Sequence, residues 1–398
     1  MLPKEKYKDM ITANQAVAIA AVRSRPQVIA AYPISPQTEI VEYLANYISH
    51  GDLDAEYVNV ESEHSAMTIC VAAEGTGVRS FTATASQGLA FMHEVVSAAG
   101  GMRLPVCMFV ANRTLMSPGG IWPEYSDSMP ERDASWLQVY VEDNQEVFDM
   151  IIQAYRISED SRVLLPIMVA GDGYTLTHST MTVEILSEEE VDGFLPPYKP
   201  EHAYLDVDRP IAQGIIVPPE YHMEAKYQMQ QAMKNAKKVI KEINDEFAQK
   251  FGRSYGGLID TYRMDDAEYA LVVMGATTGT ARVVVDELRE QGEKVGLVKL
   301  RFFRPFPVDE IREALKDVNA VGVFDRSLSF GSTGQCFIET RNALYNSNIP
   351  MLNFITGLGG RDIRIIDLKF MFEKIKEMET KGEPEENLIF VNTRGINQ

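Results

Sequence analysis

The sequence predicts an α/β protein: a doubly wound parallel sheet followed by a smaller α/β domain. Three observations carry this. Short apolar runs alternate with helix-period segments from residue 12 to residue 111. A second alternation of the same kind begins at residue 267. Between the two, residues 187–221 hold six prolines and show no hydrophobic period, and residues 222–251 are rich in Lys, Gln, Ala and Glu. A chain of 398 residues suits two or three domains and can bury a sizeable core.

The elements follow in order. Residues 12–24 open with Thr12 and Gln15 in capping-box register and continue as an Ala/Val-rich helix. Gln27–Tyr32 reads as a strand. Ser35-Pro36 then starts a helix, with Ser35 as N-cap, Pro36 at the first helical position and an apolar stripe at Ile40, Val41, Leu44, Tyr47 and Ile48. A strand at Tyr57–Val60 leads into a helix over Ser62–Glu74. Strand Gly77–Ala85, helix Gln87–Ala99 and strand Pro105–Ala111 complete the alternation, and Leu164–Val169 is a further strand. Residues 112–136 form a long loop rich in Pro, Gly, Asp and Ser, and loops of that length are more often functional than idle. Residues 187–221 read as an extended connector and 222–251 as a polar helical arm. In the second half, strands are expected at Tyr269–Met274, Val295–Leu300, Val318–Phe324 and Met351–Ile355, with helices at Thr278–Gln291, 308–316 and 336–346. The expected division is 1–205, a connector and arm over 206–260, and 261–398.

Composition narrows the function. Lys plus Arg total 38 and Asp plus Glu total 57, a net charge of −19, which repels nucleic acid and anionic membrane surfaces. No apolar run reaches the length of a membrane span, and the charged MLPKEKYKDM start lacks the apolar core of a signal peptide. Cys70, Cys107 and Cys336 are too few and too scattered for an iron–sulfur site within this chain, and a reducing cytoplasm is expected. His64, His93 and His178 are not at metal-ligand spacing, so no metal site is expected from this chain alone.

Parallel sheets bind ligands at the carboxyl ends of their strands. The residues expected there are Tyr32–Thr38, Glu61–His64, Thr84–Gly88 and Asn112–Asp133. Each allows two readings. Tyr32–Thr38 is a plain helix cap or an anion site at a helix N-terminus. Glu61-Ser62-Glu63-His64 is a capped acidic first turn or a general acid/base carboxylate. The small residues Thr82–Gly88 allow tight helix–sheet contact or the close approach of a ligand. Arg113 is half of an ion pair or a fork for an anion. Gly171-Asp172-Gly173 and Gly357-Leu358-Gly359-Gly360 read as turns.

Taken together, YPISPQTEI, VESEHSA, FTATASQGLAFMHE, RLPV…NR, SDSMPERDASWLQVYVEDNQE, LLPIMVAGDGYTLTH, FLPPY, FGRSY, RPFP and GLGGRD resemble the alpha subunit of 2-oxoacid:ferredoxin oxidoreductases, most closely the pyruvate enzymes. The resemblance covers nearly the whole chain, in order. It implies a pyrimidine-type thiamine diphosphate-binding domain followed by a transketolase C-terminal-like domain. It also implies a beta subunit that holds the diphosphate and Mg2+, and gamma and delta subunits. Iron–sulfur clusters would lie only in those partners, with coenzyme A as co-substrate and ferredoxin as acceptor. In keeping with that division, no Asn follows the Gly-Asp-Gly run within residues 195–204.

By resemblance, Glu63 is the carboxylate that hydrogen-bonds the aminopyrimidine, and Tyr32, Pro33, Ser86 and Gln87 line the cofactor. Arg113 is the substrate-binding arginine, with Ser35 beside it. The substrate loop departs from the pyruvate pattern. NRTLMSPGGIWPEYSD stands where those enzymes read close to NRxLSAPxNIWNDHSD, so Gly119, Gly120 and Tyr125 differ. Those departures, with Ser35 for the usual Thr, leave open a bulkier 2-oxoacid such as phenylglyoxylate or a branched-chain acid. NAD as a final acceptor and a non-catalytic structural role stay open as alternatives as well.

Overall fold

A computed structural model describes residues 1–200, 204–382, 384 and 386–395. Residues 201–203 of the expected connector lie outside them. The larger sheet has seven strands, in spatial order Phe302–Arg304, Leu137–Tyr140, Ile167–Asp172, Cys107–Asn112, Ser80–Thr84, Val28–Ala30 and Glu56–Val58. All pair in parallel except Phe302–Arg304, which runs antiparallel to its neighbour. The chain steps outward from Val28–Ala30 to Glu56–Val58, then returns to Ser80–Thr84 on the other side of Val28–Ala30. That reversal is a topological switch point, where doubly wound sheets open a crevice for ligands.

Helices cover both faces. Ala13–Ser24 and Asn144–Ser158 bury one, in a core with Phe81, Phe109 and Val169. Glu63–Gly75 and His93–Met102 lie on the other, with Met67, Val96, Met108 and Val110. Asp143 caps the Asn144–Ser158 helix by accepting from Glu146 N at 2.8 Å. This helix, the Leu137–Tyr140 strand before it and the Ile365–Lys381 helix are elements the sequence reading did not anticipate.

The second sheet has six strands, ordered Leu388–Phe390, Met351–Ile355, Ala320–Asp325, Tyr269–Val273, Val295–Leu300 and Ile259–Tyr262, with only the last antiparallel. One of its faces shares a continuous core with the first domain, joining Ala270, Val272, Met274 and Phe303 to Tyr125, Trp136 and Tyr140. The expected boundary at 261 is therefore crossed, because Phe302–Arg304 adds an edge strand to the first sheet.

Three local expectations change. Ser35 does not cap a helix: residues 34–37 form a turn closed by Gln37 N donating to Ile34 O, and the helix runs Thr38–Ser49 with Gln37 as N-cap. The connector contains a short helix, Glu188–Phe194, started by a full capping box between Ser187 and Glu190. The helical arm, Pro219–Phe251, is not polar along its length. Ala232, Ala236, Val239, Ile240, Ile243 and Phe247 recur at helical spacing and join the first domain's core.

A buried ion cluster ties the domains together. Glu146, on the Asn144–Ser158 helix, accepts from Lys299 Nζ at 2.6 Å and from Arg301 Nε at 2.7 Å. Burial pushes the Glu146 carboxyl up, but Lys299 and then Arg301 outweigh it and hold it at about 2. Glu146→Gln leaves the buried Arg301 without its carboxylate and Lys299 with Glu142 alone at 3.0 Å, and is expected to cost roughly 3 kcal/mol in denaturant unfolding. The folded pKa lies below the unfolded value of 4.5. The stability this carboxylate contributes is therefore complete above pH 4.5 and lost as pH falls towards about 2. Unfolding of Glu146→Gln should lack that acid-limb dependence.

Candidate functional site

Four segments converge at the carboxyl edge of the first sheet. The Ser80–Thr84 strand runs into Ala85-Ser86-Gln87-Gly88, which opens a short helix, Ser86–Phe91. The Cys107–Asn112 strand runs into Arg113. The Glu63–Gly75 helix, capped by Ser62, presents Glu63 in its first turn. The turn at residues 32–37 completes the edge.

Asp127, in the returning part of the long loop, binds these segments together. Its Oδ2 accepts from Ser86 N at 3.0 Å and from Arg113 N at 2.9 Å. Its Oδ1 accepts from Asn112 Nδ2 and from Ser128 N, both at 2.8 Å. Burial raises the Asp127 carboxyl to about 6, against the pull of these donors. Asp127 was absent from the residues singled out from the sequence. One acid inside a Ser/Asp-rich loop carries no mark of its partners.

Glu63 is nine-tenths buried, and its side chain lies against Gly88. A Cβ at Gly88 would stand 2.5 Å from Thr84 Oγ1 and 2.7 Å from Glu63 Oε1, so any side chain there would displace the hydroxyl and the carboxylate from these positions. Next along the chain, Gln87 Oε1 accepts from Arg113 Nη2 at 3.2 Å. Arg113 Nη1 donates to Ser35 O at 2.7 Å, and its Nε donates to Gly120 O at 3.1 Å. All three acceptors are neutral, and among the described residues Arg113 takes part in no ion pair. The structure thus brings Glu63, Gln87, Arg113, Ser35 and Gly120 into one contiguous group.

Other expected site residues take different positions. The Ser86 hydroxyl is buried; it donates to Thr114 O and lies 2.6 Å from Gln87 Oε1. It steadies Gln87 and has no face for a ligand. Ser35 meets Arg113 through its carbonyl. Tyr32 is half-buried, with its carbonyl accepting from Gln37 Nε2 at 2.7 Å, and Pro33 is exposed. Tyr125 does not join this group: it is 1% exposed, and its hydroxyl donates to Asp172 at 2.7 Å. Asp172 closes a strand and pairs with Arg326 of the second domain, so the Gly-Asp-Gly run is a strand end at the domain junction rather than a turn alone. Gly119 and Gly120 do not open space. A Cβ at Gly120 would meet Thr114 Oγ1 at 2.7 Å, and one at Gly119 would meet Met116 Cε at 2.9 Å.

Polar capacity is left over at this edge. Thr82 Oγ1, Thr84 Oγ1, Thr114 Oγ1 and Gln87 Nε2 are buried with no hydrogen-bond partner among the described residues. Buried polar atoms are rarely left so. A carboxylate, a hydroxyl and a free amide around Gly88 fit a flat heteroaromatic ring with nitrogen donors and acceptors. An uncompensated guanidinium fits a small carboxylate. A surface hollow of about 840 Å³ lies in the second domain and contains none of these residues. Its lining holds Asp265, Asp266, Glu268, Asp309, Glu310, Glu313 and Asp317, which repel an anion. Asp127→Asn turns an acceptor oxygen into a donor facing two donors. It is expected to lower stability by about 2 kcal/mol in denaturant unfolding, with faster amide exchange at 85–88 and 112–116.

Comparison with known proteins identifies the family. Residues 19–245 match the family model for pyruvate flavodoxin/ferredoxin oxidoreductase, thiamine diphosphate-binding, and residues 267–368 match pyruvate:ferredoxin oxidoreductase core domain II. The chain is 51% identical over 372 residues to pyruvate synthase subunit PorA of Methanocaldococcus jannaschii, covering 93% of this chain and 95% of that one. It is 43% identical to ketoisovalerate oxidoreductase subunit VorA of Pyrococcus horikoshii, covering 94% and 95%. In fold it is similar to 2-oxoglutarate:ferredoxin oxidoreductase from Magnetococcus marinus, with TM-score 0.70 at 18% identity, covering 94% of this chain and 65% of that one. No helix among the described residues is long and apolar enough to cross a membrane. The chain belongs to the pyruvate flavodoxin/ferredoxin oxidoreductase family and carries its thiamine diphosphate-binding domain.

Proposed function

We propose that this chain supplies the pyrimidine-binding and substrate-carboxylate half of an active site in a multi-subunit 2-oxoacid oxidoreductase. The overall reaction converts a 2-oxoacid and coenzyme A to acyl-coenzyme A, carbon dioxide, one proton and two electrons. A beta subunit would hold the diphosphate and Mg2+. Clusters in partner subunits would pass the electrons singly to ferredoxin, with gamma and delta subunits completing the enzyme. The observation that carries the reading is the contiguity of Glu63, Gly88, Gln87 and Arg113, with unspent polar capacity at Gln87 Nε2 and the neighbouring Thr84 Oγ1, and at Arg113 a charge that only neutral acceptors meet.

Thiamine diphosphate, when bound, supplies the carbon nucleophile and electron sink that decarboxylation of a 2-oxoacid requires. This chain's residues supply position and charge. Glu63 reaches a ring nitrogen and holds or releases a proton there. Thr84 Oγ1 and Gln87 Nε2 are free to meet the ring's polar edge. Arg113 is pre-oriented by three carbonyl acceptors, so its charge is available and its conformational cost is already met. It orients the substrate carboxylate before that group departs as carbon dioxide.

Pyruvate is favoured over a bulkier acid. The buried Thr114 side chain takes the space beside Gly120, Gly119 lies at the exposed end of the loop against Met116, and Tyr125 turns away into the domain junction. The higher identity to pyruvate synthase subunits agrees. The test uses the native complex, purified without oxygen through a tag on this chain, and reads viologen reduction with coenzyme A. Pyruvate should be turned over well ahead of phenylglyoxylate and 2-oxoisovalerate; the reverse order would overturn the assignment. Glu63→Gln should lower kcat on the order of 10²-fold with the complex intact. Arg113→Ala should raise KM for the 2-oxoacid about 10-fold or more, and Arg113→Lys should restore little of it, because the planar fork is lost. Full activity in Glu63→Gln would return the chain to a structural role.

A further inference from the structure

The substrate loop is held from outside its own domain. Residues 113–126 fold back on themselves, with Thr114 N donating to Trp122 O and Leu115 N donating to Ser126 Oγ, both at 3.1 Å. The returning limb then meets two turns of the second domain. Glu124 Oε2 accepts from Gly359 N at 2.7 Å. Gly360 N donates to Pro123 O at 3.1 Å, and Tyr125 N donates to Arg326 O at 3.1 Å. Gly360 has φ +75°, and a Cβ there would fall 2.2 Å from Trp122 Cβ, so Trp122 sits directly on the glycine backbone. Beneath the loop, Tyr125 donates to Asp172, Asp172 pairs with Arg326, and Arg326 Nε donates to Gly357 O at 3.2 Å. The Gly-Leu-Gly-Gly turn, which has no part in the chemistry described above, is thus one jaw of a clamp.

We propose that the second domain sets the position of the substrate loop, and through it the grip of Arg113 on the 2-oxoacid, with Glu124 as a positioning residue. The proposal rests on reading Arg113 as the partner of the substrate carboxylate. The mechanical connection is short. Glu124 and Pro123 fix the chain next to Trp122, whose carbonyl receives Thr114 N, and Thr114 adjoins Arg113. Two residues before Trp122, the Gly120 carbonyl receives Arg113 Nε. A limb released at 123–125 therefore loosens both contacts that aim the guanidinium, while the neutral acceptors at Ser35 and Gln87 remain. Glu124 is the informative residue because it is half-buried and spends its carboxylate on a backbone N–H of the other domain. Its truncation leaves no core cavity, whereas Arg326 and Asp172 are buried and paired.

The test compares Glu124→Ala with Glu124→Gln in the assembled complex. Gln keeps an oxygen that can accept from Gly359 N; Ala removes it. In Glu124→Ala, KM for the 2-oxoacid should rise about 10-fold, with kcat changing less than about 2-fold, since a charge-assisted hydrogen bond that holds a binding group is lost. Glu124→Gln should return KM to near the wild-type value. Hydrogen exchange read by mass spectrometry on the same complexes should be faster across 113–126 in Glu124→Ala and unchanged in Glu124→Gln. An unchanged KM and unchanged exchange in Glu124→Ala would overturn the proposal. So would a raised KM without faster exchange, or equal damage in Glu124→Gln, either of which would assign Glu124 a direct electrostatic effect on the substrate. A wild-type complex without 2-oxoacid activity would defeat the functional reading alone, because the exchange measurement would still report whether the clamp exists.

Discussion

The Asp127 carboxylate is the fixed point on which the site depends. Its two oxygens take four hydrogen bonds from donors on the Ser86 turn, the Asn112–Arg113 strand end and the loop's own return at Ser128. Adjacent parallel strands end at independent heights unless something levels them, and the backbone N–H groups beyond the last ladder bond need an acceptor. One buried acid meets both needs. The position is costly, because burial raises the group's pKa, and four donors are what hold an acid in so dry a place. Ser86 shows the local consequence: its φ is +49°, and its N–H and O–H are both spent inside the protein, which leaves Gln87 to face outward.

The two domains divide the labour by geometry. The first sheet contributes the switch point, where strands diverge and leave a crevice. The second contributes no residue to the Glu63–Gly88–Arg113 group. It instead grips the loop from the far side and shares a core with the first domain through Tyr125, Trp136 and Tyr140. The Glu146–Lys299–Arg301 cluster locks the same junction with buried charge. Such a pair stabilises less than well-packed apolar groups but is expensive to break, so it favours one relative placement of the domains.

The charge distribution fits an anionic substrate only locally. A protein of net charge −19 repels a carboxylate at long range. Near the site the balance reverses, because Arg113 is oriented by carbonyl oxygens and not neutralised by an acid. In the loop, the side chains of Thr114 and Met116 lie where a Cβ on Gly120 or Gly119 would fall.

Strand–helix alternation was legible in the sequence because burial of a sheet on both faces imposes apolar runs, and helices over it impose a period. The family was legible from ordered motifs along nearly the whole chain, and the same motifs marked Glu63 and Arg113, which the structure brings into one group. The Asn144–Ser158 helix went unread although Asp143 and Glu146 carry a capping signal and Gln145, Asp149, Gln153 and Arg156 recur at helical spacing; its polar stripe is itself largely buried, where Asp149 pairs with Arg253 and Glu146 with Arg301. Tyr125, Gly119 and Gly120 were visible as departures, but their meaning was not. A small residue reads as free space only until the side chain folded over it is known, and Thr114 is that side chain. The sequence by itself determined the alternating architecture and the acidic charge, which follow from residue type and spacing, and the family, which follows from ordered motifs. Only the tertiary structure decided that Asp127 levels the strand ends, that Tyr125 belongs to the domain junction and that a glycine turn more than 200 residues away holds the substrate loop, because hydrogen-bond partners so distant along the chain leave no periodic or local signal in it.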